Sequence, residues 1–362
     1  MYIPEPVLRV MNRLEECGFE AFAVGGCVRD SHMGRVPGDY DVTTSAVPAE
    51  MLEVFAGWRV VETGLQHGTV TVVTDGMNVE VTAYRLDGVY LDNRHPSDVT
   101  FTRSLAEDLA RRDFTVNAMA YSHTRGLVDL YDGLGDLERK RIRCVGSAEK
   151  RFSEDGLRIL RAIRFSSVLG FTPEKEDTSP AIHRMAYLLK GISRERIHVE
   201  LRKLLGGICA GEILEEYGDV VAEALPELTE EKVRIAGTRI RLLEGTDNPH
   251  AADGALRFAV LLKDLSPADA KSAVRSLKMS REEEREIYAL LDDYEVFAAD
   301  RGRYTFRKLA GKNGYVQLYR LTAFLAACGA VSVEEWAEIL TKKRSDASSA
   351  VVAAFQERKE KV

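Results

Sequence analysis

Apolar and polar positions in the first part of the chain follow the periods of both helices and strands. Between residues 5 and 17, apolar side chains recur at helical spacing, which predicts an amphipathic helix. The apolar run at 21–24 predicts a buried strand that ends at Gly25-Gly26, with a helix beginning near Val28. Further strands are predicted around residues 40–42, 69–73 and 78–84. The pattern therefore predicts a mixed α/β module with a small sheet.

Beyond Asp136 the pattern changes, and helical spacing dominates to the end of the chain. Glycine and proline clusters interrupt it at 170–173, 206–207, 245–249 and 311–314. We expect a string of helices in two or three packed bundles, with a frayed, highly charged segment at 356–362. The predicted fold class is therefore α+β, a small mixed sheet followed by an all-helical part.

Composition narrows the class of protein. With 45% hydrophobic and 30% charged residues in 362, the chain is typical of a soluble protein with two or three domains. The net charge of -7 argues against a general polycation, so a nucleic-acid site would be a local basic patch. Five cysteines without C-x-x-C spacing favour a reducing compartment over a disulfide framework or zinc site. Without a signal-like or membrane-spanning apolar run, we expect a cytoplasmic location.

Asp39 and Asp41 stand two residues apart in the segment GDYDV. On a strand, such side chains point to one face, with Cα atoms about 7 Å apart. Mg²⁺ takes oxygen ligands and is usually bound by one or two carboxylates together with substrate phosphates. Two such ions can activate an attacking hydroxyl and stabilise a leaving pyrophosphate. The alternative is a pair of turn aspartates after Pro37-Gly38, which D-x-D spacing alone does not exclude.

A glycine turn lies upstream of this pair. Gly25-Gly26 leads into a predicted helix, and the N–H groups of such a turn attract phosphate. Arg29, in the first turn of that helix, could grip a triphosphate. Glu80, on a predicted strand, could supply a third carboxylate or simply face solvent. A metal-binding pair beside a phosphate-binding turn is far more specific than either feature alone.

Four blocks of sequence resemble the tRNA nucleotidyltransferase and poly(A) polymerase family, a branch of the beta-type DNA polymerase superfamily. Their order, spacing and residue types all agree with the family. The blocks are GGCVRD at 25–30 with GDYDVTTSA at 38–46, the segment 92–121, DLYDGLGDLERKRIR at 129–143 and FSEDGLRILRAIRF at 152–165. The resemblance is strong over residues 21–205 and weak elsewhere.

The resemblance implies a role for individual residues. Asp39 and Asp41 match the family's catalytic, metal-binding pair, and Asp113 matches a residue expected to hold the ribose. The other matched nucleotide-binding positions are Gly26, Arg29, Arg112, Asp155, Arg158, Arg161 and Arg164. The family fold implies a nucleotidyltransferase head at 1–136, a helical neck at 137–205, and a helical body and tail at 206–362. Implied partners are tRNA, CTP, ATP and Mg²⁺, without a membrane or protein partner.

Asp155 and Arg158 suggest how C and A could be chosen without a template. We expect residues 152–165 to form one helix, which would place these two side chains on one face. A carboxylate accepts hydrogen bonds and a guanidinium donates them, which complements the amine and ring nitrogen of cytosine and adenine. Uracil and guanine would meet mismatched groups. The alternative is a solvated i, i+3 ion pair worth about 0.3 kcal/mol.

Residues 139–164 form the most basic segment, with nine Lys or Arg against three Asp or Glu. Such side chains could position RNA through its phosphates, or form a solvated face. Lys342, Lys343 and Arg344 could touch a distal part of tRNA, although a solvated helix end explains them better.

Family members differ in product: CCA, CC, A alone, or poly(A). The segment 84–96 matches a flexible loop linked to the switch from C to A, which is shortened in CC-adding members, so its intact length favours the ability to add A. An A-adding enzyme and a poly(A) polymerase remain alternatives within the family. Lys263 stands where HD-domain relatives carry a metal-binding histidine, so we expect no second hydrolase centre. Outside enzymes, the alternatives are a catalytically silent RNA-binding relative and a nucleotide-sensing module.

Overall fold

The structure, a computed structural model, describes residues 1–87, 99–245, 252–300, 303–312 and 315–330. The chain divides into two compact units. The first contains residues 1–162 and 171–192, and the second contains residues 163–170 and the chain from 193 onward. No helix in the described parts is both long and apolar enough to cross a membrane. All five cysteines are free, as predicted.

Most of the first unit is built around one seven-stranded mixed sheet in the order β3-β4-β5-β2-β1-β8-β9. Strands β2 and β5 run parallel, and the other neighbours are antiparallel. The strands are β1 Ala21–Val24, β2 Asp41–Thr44, β3 Arg59–Val61, β4 Thr69–Thr74, β5 Met77–Ala83, β8 Met119–Ser122 and β9 Gly126–Asp129. Two small pairs lie outside this sheet: β6 Arg85–Asp87 with β7 Val99–Phe101, and β10 Arg141–Ile142 with β11 Thr172–Pro173.

Helices of the first unit pack on both faces of the sheet and beside it. They are α1 Glu5–Glu16, α2 Gly26–His32, α3 Pro48–Val54, α4 Leu105–Ala110, α5 Gly133–Glu138, α6 Ala148–Glu154 and α8 Thr178–Met185. Helices α1, α2 and α3 lie on one face and α4 on the other. Alternate strand positions such as Val42, Val72 and Val81 are buried in one cluster with the apolar sides of α1, α2 and α3. The intervening positions of β2 are Asp41 and Thr43, which lie on the opposite face of the sheet. That face also carries a smaller apolar cluster with Phe22, Val24 and Leu109.

The second unit is helical throughout its described residues. Helix α7, Leu157–Leu169, runs from the first unit into it. The remaining helices are α9 Arg194–Leu205, α10 Ala210–Glu216, α11 Gly218–Ala224, α12 Glu230–Glu244, α13 Gly254–Leu262, α14 Pro267–Ser276, α15 Arg281–Ala299, α16 Arg303–Lys312 and α17 Tyr315–Ala327. Helices α10 and α12 cross where Gly211 faces Gly237, and a Cβ on either would lie 2.7 Å from the other's carbonyl oxygen. Close approach therefore requires glycine on both helices.

The predicted α+β fold class is confirmed, and so are most of its elements. Helix α1 and strands β1, β4 and β5 lie where the apolar pattern predicted them. Helix α2 begins at Gly26, two residues before the predicted start. Beyond Asp136 the sequence predicted almost no strands. Among the described residues of that part, β10 and β11 form a two-residue pairing. The helix predicted over 152–165 is wrong, for a reason that concerns the site.

Candidate active site

The aspartate pair lies where β2 begins. Asp41 is the first residue of β2, whereas Asp39 precedes the strand, and both are exposed. The prediction that both stand on one strand is therefore wrong for Asp39, because the chain enters β2 from an irregular segment after Gly38. Asp41 lies beside Glu80 of β5 in register, and cross-strand neighbours project from the same face. Glu80 thus joins the pair as a third carboxylate at this end of the sheet.

The pKa of Asp41 reflects the charges of the neighbouring carboxylates. The pKa of Asp41 is raised to about 6 by partial desolvation and by the negative charges of Asp39 and Glu80, while Arg112 opposes the rise. Because Asp41 is exposed, solvent screens these charges and limits their effect on stability. Within the described ranges, no group of three or more His, Cys, Asp or Glu forms a ready-made metal site. The donors near Asp41 are nevertheless all oxygens with excess negative charge, which fits a hard divalent cation.

The raised pKa of Asp41 predicts a pH-dependent gain in stability for Asp41→Asn without metal. A folded-state pKa above the ordinary value means that ionisation opposes folding, so the penalty is absent below about pH 3, grows between about pH 4 and pH 6, and is complete above about pH 7. After discounting for exposure, we expect the variant to be about 1 kcal/mol more stable than wild type at pH 8. At pH 4 the difference between the two should be clearly smaller than at pH 8.

Urea unfolding in a chelating buffer at both pH values measures this difference. Mg²⁺ at pH 8 should then stabilise the wild type and leave the variant unchanged, because only the wild type retains both carboxylates. An equal stability difference at pH 4 and pH 8 would contradict the assigned repulsion.

The glycine turn adjoins the carboxylates. Val24, the last residue of β1, pairs with Asp41, and Gly25 follows it directly. Gly25 has φ 77° and ψ −125°, and a Cβ there would lie 3.2 Å from Nη1 of Arg112. Both the left-handed backbone and the close guanidinium favour glycine. Gly26 then begins α2, and a Cβ there would lie 3.7 Å from Nη2 of Arg29.

Arg112 is held beside the carboxylates by Asp108, a residue that the sequence analysis missed. Asp108 is fully buried and accepts hydrogen bonds from Arg111 at 3.0 and 2.7 Å and from Arg112 at 3.4 Å. It also accepts a hydrogen bond from Thr43 at 3.2 Å, two residues along β2 from Asp41. Asp108 therefore links Arg112 to the strand that bears the catalytic candidate. Its spacing four residues before Arg112 was the available signal.

Arg29 is buried and held by two partners. It donates to Asp30 at 2.8 Å and to the Oδ1 atom of Asn117 at 2.6 Å. The amide nitrogen of Asn117 donates to Asp113 at 3.2 Å. Asn117, which the sequence analysis also missed, thus connects two predicted nucleotide-binding residues from separate segments.

Asp113 forms the strongest ion pair of this network. Its Oδ2 atom accepts hydrogen bonds from Nε and Nη2 of Arg161 at 2.9 and 2.5 Å. Burial alone would raise the pKa of Asp113, but the guanidinium groups of Arg161 and Arg158 hold it well below its usual range. The carboxylate is consequently ionised, and Arg161 is fixed against the residue predicted to hold the ribose.

Asp155 does not lie on a helix. Helix α6 ends at Glu154, Asp155 is extended at φ −145° and ψ 105°, and α7 begins at Leu157. The Oδ1 atom of Asp155 accepts from the amide of Leu157 at 3.0 Å, capping α7. A Cβ on Gly156 would lie 2.9 Å from the Cβ of Leu188. The single helix predicted over 152–165 is therefore wrong, and so is the placement of Asp155 and Arg158 on one helix face.

Arg158 and Arg164 have partners within separate units. Arg158 donates to Glu154 at 2.5 Å and to the carbonyl oxygen of Arg111 at 3.2 Å. Arg164, in the second unit, donates to Glu200 at 2.9 Å, and its guanidinium lies 3.5 Å from the ring centroid of Phe165. The structure thus unites Arg158 with Asp113 and Arg161 in the first unit, and describes Arg164 within the second.

Three predicted features fall wholly or partly on residues that the structure does not describe. The flexible loop predicted over 84–96 is described only to residue 87. The basic triplet Lys342 to Arg344 and the charged segment 356–362 lie outside the described residues. Within the basic segment at 139–164, Arg139 and Arg143 both donate to the buried Asp136, at 3.2 and 2.8 Å.

Fold and site together define a head of the poly(A) polymerase type. Residues 21–143 match the family model described as "Poly A polymerase head domain". Residues 170–217 match the one described as "Probable RNA and SrmB- binding site of polymerase A".

Curated relatives narrow the family. The chain is 44% identical over 289 residues to the CCA-adding enzyme of Lactobacillus delbrueckii subsp. bulgaricus, a match that covers 78% of this chain and 71% of the relative. It is 50% identical over 201 residues to that of Latilactobacillus sakei, covering 56% of this chain and 50% of the relative. The chain belongs to the family of CCA-adding enzymes. It spans about half the length of several of the curated relatives that it matches.

Solved structures of similar fold include members of the same family. The CCA-adding enzyme of Bacillus stearothermophilus in complex with CTP matches with a TM-score of 0.77 and 32% identity, covering 95% of this chain and 83% of that one. A tRNA nucleotidyltransferase complexed with a primer tRNA and an incoming ATP analogue matches with a TM-score of 0.71 and 25% identity, covering 92% and 98%.

Proposed function

We propose that this protein adds C, C and A from CTP and ATP to the 3′ end of tRNA, releasing pyrophosphate at each step. The observation that carries the proposal is the cluster of Asp39, Asp41 and Glu80, which stands beside Arg112 and the Gly25 turn. The relatives support it, since they are named CCA-adding enzymes, and one is solved with CTP and another with a primer tRNA and an ATP analogue. We place this activity in the cytoplasm.

Mg²⁺ is the cofactor that the carboxylates fit, with Asp39 and Asp41 as its ligands. Bound there, Mg²⁺ would supply positive charge for the attacking hydroxyl and the leaving pyrophosphate. Partial desolvation and the charges of Asp39 and Glu80 raise the pKa of Asp41, so a bound cation would relieve the repulsion among these carboxylates. Arg112, held by Asp108, adds a fixed positive charge at the same place, which suits a phosphate of the incoming nucleotide.

The remaining predicted residues would bind the nucleotide. Gly26 and Arg29 stand at the start of α2, and the backbone amides of a helix N-terminus suit phosphate oxygens. Asp113 would accept hydrogen bonds from the ribose hydroxyl groups, while Arg161 keeps the carboxylate of Asp113 ionised. We assign Arg164 to the same nucleotide site as a proposal from the resemblance alone.

Asp155 and Arg158 remain our proposed pair for choosing C and A, by a geometry other than the one first expected. Asp155 projects from the extended link between α6 and α7, and Arg158 from the first turn of α7. Arg158 would exchange its hydrogen bond to Glu154 for one to the base. The carboxylate of Asp155 and the guanidinium of Arg158 would then complement the amine and the ring nitrogen of cytosine and adenine.

Product size tests the proposed function. The purified protein is given Mg²⁺ and a tRNA that lacks its 3′ CCA, with CTP, ATP, or both, and products are resolved to one nucleotide. We expect two added nucleotides with CTP alone and three with both, ending in A. A single A, or a long A tail, would replace the proposal by an A-adding enzyme or a poly(A) polymerase. No extension of any RNA would contradict the enzymatic function.

A further inference from the structure

A cleft beside Asp39 has no role in the nucleotide site described above. Its volume is about 880 Å³, within the range of about 300 to 1,000 Å³ typical of ligand sites. Its walls are the start of the chain through Pro6, the segment 34–40 and the β4–β5 turn at 75–78, all within the first unit. Asp39 lies on its border, so the cleft adjoins the carboxylate pair.

The walls of the cleft carry exposed flat and apolar side chains. Tyr2 is 77% exposed and Val36 is 93% exposed, so neither contributes much to the core. Tyr40, also in the lining, is buried, and its pKa is raised by burial and by the nearby Cys27 and Tyr2 phenol. Exposed aromatic rings beside a polar groove are the means by which proteins stack the bases of a single strand.

The cleft also carries an available positive charge. Arg35 is exposed, and no ion pair involves its guanidinium among the residues that the structure describes. Asp75, the other acidic residue in the lining, is paired with Arg9 at 2.9 Å, which reduces its repulsion of an anion. A free guanidinium near an exposed ring matches the alternation of phosphate and base along a nucleic-acid strand.

We propose that this cleft binds the last unpaired nucleotides of the RNA primer, with Tyr2 stacking on a base and Arg35 contacting a phosphate. The inference rests on the proposed function, because extension requires the terminal hydroxyl of the RNA to reach Asp39 and Asp41. The glycine turn and Arg112 are assigned to the incoming triphosphate, so the strand behind the terminal hydroxyl needs a different surface. The cleft bordered by Asp39 is such a surface, and its chemistry suits single-stranded RNA.

Fluorescence of a modified primer tests this subsite directly. The probe is a short RNA hairpin with a single-stranded 3′ end whose last base is 2-aminopurine, a base that loses fluorescence when it stacks. We expect the wild type and Tyr2→Phe to quench the probe, and Tyr2→Ala to leave it bright. Tyr187→Ala, which removes another exposed tyrosine of the first unit, should quench like the wild type.

Kinetics give the second readout. We expect Tyr2→Ala and Arg35→Ala each to raise the KM for the RNA about tenfold, the effect of losing one stacked base or phosphate contact, and to leave the KM for CTP unchanged. Arg59→Ala, an exposed arginine elsewhere in the first unit, is the matched control and should change neither constant.

The outcomes separate this inference from the proposed function. If the protein extends no RNA but quenches the probe only when Tyr2 is present, the subsite is supported and the proposed function is contradicted. Normal extension, with Tyr2→Ala quenching and binding RNA like the wild type, would overturn the subsite alone. An equal rise in the KM for CTP and RNA would also overturn it, because the variants would then disturb the nucleotide site.

Discussion

Replacing Asp41 with alanine should lower nucleotide addition at least a thousandfold and leave the affinity for tRNA unchanged. Asp41 begins β2 beside Asp39 and Glu80, at the only place where we assign a metal ligand pair. Charge stabilisation by a bound metal ion is worth several kcal/mol in the transition state, and about 1.4 kcal/mol corresponds to a tenfold change in rate. Contacts between proteins and nucleic acids fall largely on phosphates and sugars, and this substitution should leave such contacts in place.

Single-turnover extension with CTP, together with filter binding of tRNA, measures both effects. Glu62→Ala is the matched control, because Glu62 is an exposed carboxylate just after β3 on the same sheet. It should extend tRNA at the wild-type rate. Extension by Asp41→Ala at a rate near that of Glu62→Ala would show that the metal assignment is wrong.

Asp108→Ala should cost about 3 to 5 kcal/mol of unfolding free energy, the usual effect of removing one partner of a buried ion pair. Asp108 is inaccessible to solvent and accepts hydrogen bonds from Arg111, Arg112 and Thr43. Its removal leaves two guanidinium groups without their shared carboxylate. Because Arg112 then loses its anchor, the KM for CTP should rise as well.

Urea unfolding of the wild type and variant measures the loss. Glu149→Ala is the control, since Glu149 forms an exposed ion pair with Arg184 at 4.0 Å in the same unit, and such pairs contribute about 0 to 1 kcal/mol. An Asp108→Ala protein that unfolds at the same urea concentration as Glu149→Ala would contradict the role given to Asp108.

Elements governed by local periodicity were predictable from the sequence. The alternation of β4 and β5 and the helical spacing of α1 reflect burial against one core, which leaves a direct trace in the chain. The association of Asp39, Asp41 and the glycine turn was predictable for a similar reason, since only α2 and a short segment separate them along the chain, and β1 pairs with β2. For Glu80 the sequence left two alternatives, a third carboxylate of the site or a solvent-facing residue. Its register with Asp41 shows that it lies beside that aspartate.

Features that depend on distant contacts were not predictable. The break at Asp155 coincides with the close approach of Gly156 to Leu188. The dipeptide Asp155-Gly156 is a local turn signal, but the sequence does not show the contact with Leu188. An apolar helical pattern continues across the break, so the sequence favoured one helix. Asp108 and Asn117 are likewise of residue types that usually lie at the surface. Only the fold shows that both are buried and that each connects other polar residues.

Binding of Mn²⁺, a hard cation that also prefers oxygen ligands, tests the central claim most directly. Electron paramagnetic resonance counts the free ion in the presence of CTP, for the wild type and for a variant carrying Asp39→Asn and Asp41→Asn. We predict that the wild type removes Mn²⁺ from solution beyond what CTP alone binds, and that the variant does not. Equal binding by both proteins would contradict the assignment of these two carboxylates as the metal site.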